Sequence, residues 1–424
     1  MENKLVPRLR FPEFENVDSW EERKINDFFN VGSSKRVLQD DWTRFGVPFY
    51  RTRELVSLNK NEAFRSEIFI SEKLFNEIAK KYGLPNEGDF LVSGVGTLGI
   101  YYQVKKNDKF YFKDGNVIWF KKKKAINSDY FRYCFQSDFI QTQIIAQSSA
   151  STVGTYTIQN ASITKFHIPK STLEQQKIAD CLCSLDDLIR VEAEKLAALK
   201  DHKKGLIQQL FPVEGEKVPK LRFPEFKDCE EWEYKKLGDC LLRHPEYGLN
   251  AAAVPYSDNL PTYLRITDIS EDGFFVSQQK VSVDWDVTEE NYLDDGDIVL
   301  ARTGASVGKS YMYRNYDGKL VFAGFLIRIK PNKNRLVSEL LYQFLSTEIY
   351  WKWVDLTSQR SGQPGINGNE YASLSVPLPP TINEQQKIAD CLSSLDEQMN
   401  VQKQKIEDLK LHKKGLMQGL FPKY

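Results

Sequence analysis

The chain is written twice, and any fold it adopts must accommodate that. The segment VPRLRFPEF (Val6 to Phe14) returns as VPKLRFPEF (Val218 to Phe226). EQQKIADCLCSLD (Glu174 to Asp186) returns as EQQKIADCLSSLD (Glu384 to Asp396), and HKKGLIQQLFP (His202 to Pro212) as HKKGLMQGLFP (His412 to Pro422). The offset is 212 residues at the first pair and 210 at the others, so one unit is duplicated in tandem with a net difference of two residues. At 424 residues the chain also exceeds one ordinary core, and two domains or more are expected.

The similarity is uneven. Between Glu174–Pro212 and Glu384–Pro422, 25 of 39 positions are identical. Between the repeated ends only a skeleton aligns: Trp20 with Trp232, Gly88-Asp89 with Gly296-Asp297, and YRTRELV (Tyr50 to Val56) loosely with LRITDIS (Leu264 to Ser270). One part of each unit is held while the other diverges. Neutral drift of a duplicated structural domain gives this pattern, and so do two variable parts that recognise different things.

The held parts read as long helices. Glu174 to Phe211 has no proline and one glycine, Gly205. Ile178, Leu182, Leu185, Ile189, Leu196, Leu199, Leu206 and Leu210 step by four and three, with Glu192 and Lys203 filling the remaining steps: a heptad seam. The second copy repeats it with Ile388, Leu392, Leu395, Met399, Ile406, Leu409, Leu416 and Leu420, interrupted by Gln402 and Lys413. Thr172 and Thr381 are expected to start the helices, and Pro212 and Pro422 to stop them. Each would be roughly 55–60 Å long. The simplest partner for each seam is the other copy, antiparallel about a pseudo-two-fold axis. That register places Glu192 and Gln402 near the centre and close together, where a polar pair fixes register.

The variable parts, about 15 to 170 and 228 to 380, carry short Tyr-, Phe-, Val- and Ile-rich runs broken by Gly, Asn, Asp and Pro. NVIWF (Asn116 to Phe120) and LVFAGFLIRI (Leu320 to Ile329) read as strands, SEKLFNEIAKKYG and SELLYQFLSTEIYWKWV as helical pieces. The fold class is therefore α+β. A mixed α/β domain over 1–171 is followed by a helix over 172–212, a second domain over 213–380 and a second helix over 381–424.

One loop suggests a nucleotide. GDIVLARTGASVGKS (Gly296 to Ser310) ends in Gly-Lys-Ser after an apolar run. A phosphate-cradling P-loop needs four residues between its glycines and a helix behind it. Here three residues separate Gly304 from Gly308, and SYMYRNYDGKLVF reads as strand, turn, strand. The duplicate, SGVGTLGIYYQV (Ser93 to Val104), lacks Gly-Lys-Ser and has Gly94, Gly96 and Gly99 in a dinucleotide-like spacing, again before a strand-like run. A glycine turn between strands explains both.

Other chemistry is missing as well. The six cysteines and four histidines show no metal-ligand spacing, and neither disulfide nor metal is expected. There is no methyltransferase Asn-Pro-Pro-Tyr-type motif, nuclease cluster or helicase motif. No run of about 18 apolar residues suggests a membrane span, and the start lacks a signal-peptide core, so a cytoplasmic protein is expected. Net charge is zero, which argues against nucleic-acid binding through bulk charge alone.

This organisation resembles the specificity subunit of type I restriction-modification systems. The residues that carry the resemblance are the duplicated LRFPEF, the Gly296-Asp297 pair with the Arg302-Thr303-Gly304 loop, and the paired EQQKIADCLxSLD and HKKGLxQxLFP helix ends. The resemblance covers essentially the whole chain. It implies two target recognition domains, each reading one half of a bipartite, asymmetric site in double-stranded DNA. It implies helices that separate the domains, set the unread spacer and dock two methyltransferase subunits. Restriction subunits that translocate and cleave DNA join that complex. The subunit itself is non-catalytic and without cofactor; S-adenosylmethionine, ATP and Mg belong to the partners.

Phosphates call for Lys and Arg, base edges for Arg, Gln, Asn, Ser and Thr. The candidates are Arg51, Arg53 and the polar stretch Gln147, Ser148, Ser149, Ser151 and Thr152 in the first domain. In the second they are Arg265, Arg302, Thr303, Lys309, Gln359, Arg360 and Gln363. Arg302 has no arginine counterpart in the first unit, where the loop reads SGVG. The competing readings are a nucleotide-binding enzyme using Gly304 to Ser310, and a coiled-coil adaptor whose variable domains bind proteins.

Overall fold

The computed structural model describes residues 5–60, 62–64, 67–148, 154–359 and 363–422. It divides into two compact units, one of residues 1–193 with 405–424, the other of 194–404. The division cuts both long helices, Thr172–Leu210 and Ile382–Leu420, so each unit holds a recognition-type domain plus a segment of either helix.

Among the described residues of the first unit, ten strands form three sheets: β1 (Glu21–Lys24), β2 (Phe29–Gly32), β3 (Trp42–Thr43), β4 (Val47–Tyr50), β5 (Phe69–Ile70), β6 (Phe90–Ser93), β7 (Tyr101–Gln103), β8 (Tyr111–Phe112), β9 (Val117–Lys122) and β10 (Lys165–Ile168). The sheet β2-β9-β6-β7 is antiparallel. The sheet β3-β5-β4-β8 is mixed, because β4 and β8 run parallel. The pair β1-β10 ties the domain's entry to its exit. Side chains alternate across a strand, and here both faces are buried. Phe90, Val92, Ile118 and Phe120 enter one core with the helix Ser128–Phe135. Leu91, Val117 and Trp119 enter another with Phe112 and Leu55.

The second unit repeats the plan: β11 (Glu233–Lys236), β12 (Glu246–Tyr247), β13 (Ala253–Val254), β14 (Thr262–Leu264), β15 (Val281–Val283), β16 (Ile298–Ala301), β17 (Ser310–Met312), β18 (Leu320–Phe322), β19 (Leu326–Ile329) and β20 (Ser375–Leu378). Its sheets are β12-β19-β16-β17, β13-β15-β14-β18 with β14 and β18 parallel, and β11-β20. The run Leu320 to Ile329 is two strands in different sheets, not one, because the chain turns at Ala323 to Phe325. The helical stretch from Ser338 likewise splits into Ser338–Phe344 and Glu348–Ser358.

All twenty seam positions are buried or half-buried, including Glu192 and Gln402. In the first unit the helix segments run antiparallel: the Lys413 ammonium donates to Asp186 at 2.5 Å, and Lys405 pairs with Glu192. In the second unit Lys203 donates to Asp396 at 2.6 Å, while Ile207 and Leu210 share one core with Ile388 and Leu392. Thr381 caps its helix, accepting from Glu384 N at 3.2 Å. In the first copy the capping hydroxyl is that of Ser171, accepting from Glu174 N at 3.4 Å, and Thr172 is already helical.

The repeated motifs meet at buried joints. Arg10 of the first LRFPEF gives Nε and Nη2 to the two carboxylate oxygens of Glu174, both at 2.8 Å, and Trp20 Nε1 donates to the same group at 3.0 Å. Arg222, Trp232 and Glu384 repeat this at 2.7, 2.8 and 3.2 Å. At the next joint, Asp186 accepts from Tyr133 Oη at 2.6 Å as well as from Lys413, and Asp396 accepts from Gln343 Nε2 at 2.7 Å as well as from Lys203. The Arg, Trp and Glu of the first joint are the same in both units, as are the Lys and Asp of the second, while Tyr133 of the first unit is replaced by Gln343. Among the described residues, no helix is long and apolar enough to cross a membrane.

Candidate nucleic-acid interface

The two glycine loops occupy one structural position. Gly94 to Gly99 joins β6 to β7, and Gly304 to Gly308 joins β16 to β17. Gly96 and Gly99 have φ of 80° and 70°, Gly304 and Gly308 of 75° and 86°, so the turn demands residues without a Cβ penalty. Ser310 opens a strand where a phosphate cradle requires a helix. The Lys309 ammonium donates to the carbonyl of Ile269 at 2.6 Å and lines a cleft with Lys200, Lys203 and Tyr342. Lys309, a candidate DNA contact, is half-buried there.

Backbone hydrogen bonds match the loops residue by residue. Arg302 N donates to Phe325 O at 3.0 Å and Ile366 N to Arg302 O at 2.9 Å; Gly94 N donates to Asn116 O and Tyr156 N to Gly94 O, both at 2.9 Å. The isolated bridges Thr303↔Gly365 and Val95↔Thr155 follow in step. Arg302 therefore stands where the first domain has Gly94. Strand register extends the match: Glu246 faces Arg328 in β19 as Gly32 faces Trp119 in β9, so the next residues, Tyr247 and Ser33, correspond.

The second domain uses these positions to hold a cation. The Arg302 guanidinium lies over the Tyr247 ring, 4.8 Å from its centroid, and Phe325 beside it is 63% exposed. Gln363 comes close to the same turn, its amide nitrogen 3.1 Å from where a Cβ on Gly304 would stand. In the first domain Gly94 is buried and closely packed. A Cβ on Gly94 would lie 2.7 Å from the Tyr156 carbonyl oxygen, and the Ser33 hydroxyl is engaged by Gly115 N at 3.1 Å.

A second matched feature follows β4 and β14. Arg51 gives its backbone N–H and Nε to Glu54 Oε2 at 2.8 and 3.0 Å, and Nη2 to Oε1 at 2.5 Å; Arg53 Nε reaches Oε1 at 2.9 Å. Arg265 repeats this with Asp268 at 2.8, 2.9 and 2.6 Å. Burial pushes the Glu54 carboxyl up, but the bonds from Arg51 and Arg53 outweigh it and hold the group below the usual range. Arg265 lines a cleft that also includes Asn250, Gly324 and Phe325, which brings it to the neighbourhood of Arg302. Arg51 lies against the Trp42 ring, whose buried Nε1 has no hydrogen-bond partner.

The helices Asp138–Ser148 and Glu348–Ser358 also correspond, and both lead into candidate loops. Ser149, Ser151, Thr152 and Arg360 lie outside the described residues. Ser148 was expected at a base edge. It is buried, and its hydroxyl bonds the Ile145 carbonyl at 2.8 Å, because it closes the last turn of its own helix. Gln147 is half-buried, its side-chain oxygen 3.5 Å from Thr164 Oγ1. Gln359 is exposed at the helix end, and Thr303 is half-buried beside Gly365. Tyr247 and Phe325 escaped sequence reading because each meets Arg302 only through sheet register.

Among the described residues, no group of three or more His, Cys, Asp or Glu could hold a metal ion. A family model described as the type I restriction modification DNA specificity domain matches residues 17–201 and again 230–411. A Methanocaldococcus jannaschii protein provisionally named the type I restriction enzyme MjaX specificity subunit is 29% identical over 420 residues, covering 94% of this chain and 92% of its own. The type I restriction enzyme MjaVIII specificity subunit of the same organism is 23% identical over 433 residues, covering 96% and 92%. Among solved structures, the type I restriction-modification S subunit from M. genitalium superposes with a TM-score of 0.60 at 14% identity, over 99% of this chain and 100% of that one. A chain from a study of complex assembly in the type I R-M system gives 0.54 at 15% identity, over 95% and 96%. At these identities the structures speak for the fold.

Proposed function

Because this chain belongs to the type I restriction-modification DNA specificity family, with two copies of its domain, we propose that each domain reads one half of a bipartite, asymmetric site in double-stranded DNA. One observation carries this reading: at the matched hairpin of two domains of identical strand order, Arg302, Tyr247 and Phe325 stand in one and Gly94, Ser33 and Asn116 in the other. Equivalent frames with unlike rims suit two unlike half-sites.

The long helices set the unread spacer and dock two methyltransferase subunits. Restriction subunits complete the assembly. This chain does no chemistry; methyl transfer from S-adenosylmethionine and Mg-dependent use of ATP reside in the partners. Phosphate contacts from the methyltransferase subunits explain how a chain of zero net charge serves in a DNA complex.

The test is an exchange of residues 15–170 for the matching segment of another family member, in a complex reconstituted with methyltransferase subunits. Mapping methylated bases should show one half-site replaced and the other retained. An unchanged site, or a change in both halves, would overturn the proposal.

A further inference from the structure

We infer that Arg302 is a base-reading residue of the second domain, specific for guanine in the major groove and held in plane by Tyr247. The inference rests on the proposal that the domains read DNA, and it adds which base feature one of them reads and why the other domain does not share it.

The setting of Arg302 is unlike that of its neighbours. Arg265 is paired with Asp268, and Arg243 and Arg328 with Glu246. Arg302 forms no ion pair among the described residues. Among the described residues its buried Nε has no hydrogen-bond partner, and Nη1 reaches the Gly324 carbonyl at 3.4 Å. Stacking and backbone ties, not a carboxylate, position this guanidinium. Phe325 O and Ile366 N fix its main chain on both sides, and the Tyr247 ring packs against its head, 4.8 Å from centroid to Cζ.

That arrangement suits a base edge better than a phosphate. A phosphate can be met by a lysine point charge as well as by an arginine fork, whereas the O6 and N7 of guanine require two N–H groups in one plane. The first domain has neither part. Gly94 replaces the arginine, with no room for a Cβ before the Tyr156 carbonyl, and Ser33 replaces the platform. The half-site read by the first domain therefore carries no guanine read from this position.

The experiment uses the full chain with its methyltransferase subunits and selects from a pool of duplex DNA of random sequence. If the unaltered complex enriches no motif, the DNA-reading proposal itself fails. Given a motif, Arg302→Gln should relax one guanine position in one half-site by roughly 10–100-fold. The other half-site should persist, which also reports that the complex has assembled. Tyr247→Phe should keep the preference, and Tyr247→Ala should weaken that same position. Uniform weakening at every position with a shallower salt dependence would make Arg302 a phosphate contact and overturn the assignment, as would an unchanged motif. Should Arg302→Gln not assemble, Arg302→Lys and Tyr247→Ala carry the same test, with the same outcomes deciding it.

Discussion

The joint at the start of each long helix and the turn at the end of β6 or β16 have passed through the same duplication and come out differently. At the joint, Arg10, Trp20 and Glu174 recur as Arg222, Trp232 and Glu384 with nearly the same distances. At the turn, Gly94 faces Arg302 across the duplication with the same backbone bonds and nothing else in common. The difference teaches where selection had freedom. A buried carboxylate that serves a guanidinium and an indole N–H leaves no member of its set replaceable. At the turn the backbone bonds recur while the side chains that the position carries differ.

That contrast can be broken by substitution. The largest effect is expected at the joints. Glu174→Ala and Glu384→Ala each strand a buried arginine and should cost about 3–5 kcal/mol in denaturant unfolding. A cost below about 1 kcal/mol at either one would mean the two joints are not equivalent. Next come the interhelix lysines. Lys203→Met should cost about 1.5–3 kcal/mol. Lys413→Met should cost less, because the Asp186 side chain is 38% exposed against 12% for Asp396. Equal costs would show that exposure does not control this bond.

At the turn the asymmetry should reverse. Gly94→Ala drives a methyl against the Tyr156 carbonyl and should cost about 1–3 kcal/mol. Arg302→Ala should stay within about 0.5 kcal/mol. A costly Arg302→Ala would make that residue part of the frame.

The smallest effect separates the units by pH. His167 in β10 is buried and stacked on Phe139, with Nδ1 donating to the Pro422 carbonyl at 3.3 Å and with Glu22 and Lys165 nearby. Burial pushes the imidazole below its ordinary value despite the Pro422 carbonyl. The unfolded chain then binds the proton more readily. Stability is fully present above the unfolded value near 6.5 and is lost as pH falls below it, at up to about 1.4 kcal/mol per pH unit. The β20 position facing Tyr234, as His167 faces Glu22, is Pro377, so the second unit lacks this term. Hydrogen exchange followed separately in the two units at pH 7 and 5.5 checks it. A loss that persists in His167→Phe would assign the acid sensitivity elsewhere.

Much of the frame was legible because it is written in periodicity and repetition. The four-three spacing from Ile178 to Leu210 located a helix seam that is buried or half-buried throughout. Gly304 and Gly308, one residue too close and followed by Ser310 in a strand, already excluded a phosphate cradle. Less legible was anything set by distant pairing. Tyr247 meets Arg302 through strand register across 55 positions, which leaves no local signature. Ser148 misled for a related reason: a polar side chain near a loop can spend its hydrogen bond inward, here on Ile145. The split of Leu320 to Ile329 into two strands was hidden because strands buried on both faces lose their alternation.

The core of the first unit contains Leu420 and Phe421 alongside Trp20 and Tyr130. On the ribosome this inverts the order of completion. The polypeptide of the second unit, 194–404, is all in hand before the last segment of the first unit has been made. The domain that emerges first must wait, with its Trp20 side uncovered, for residues 405–422. A premature stop near residue 405 would thus spare the domain nearer to it and cripple the one synthesised first.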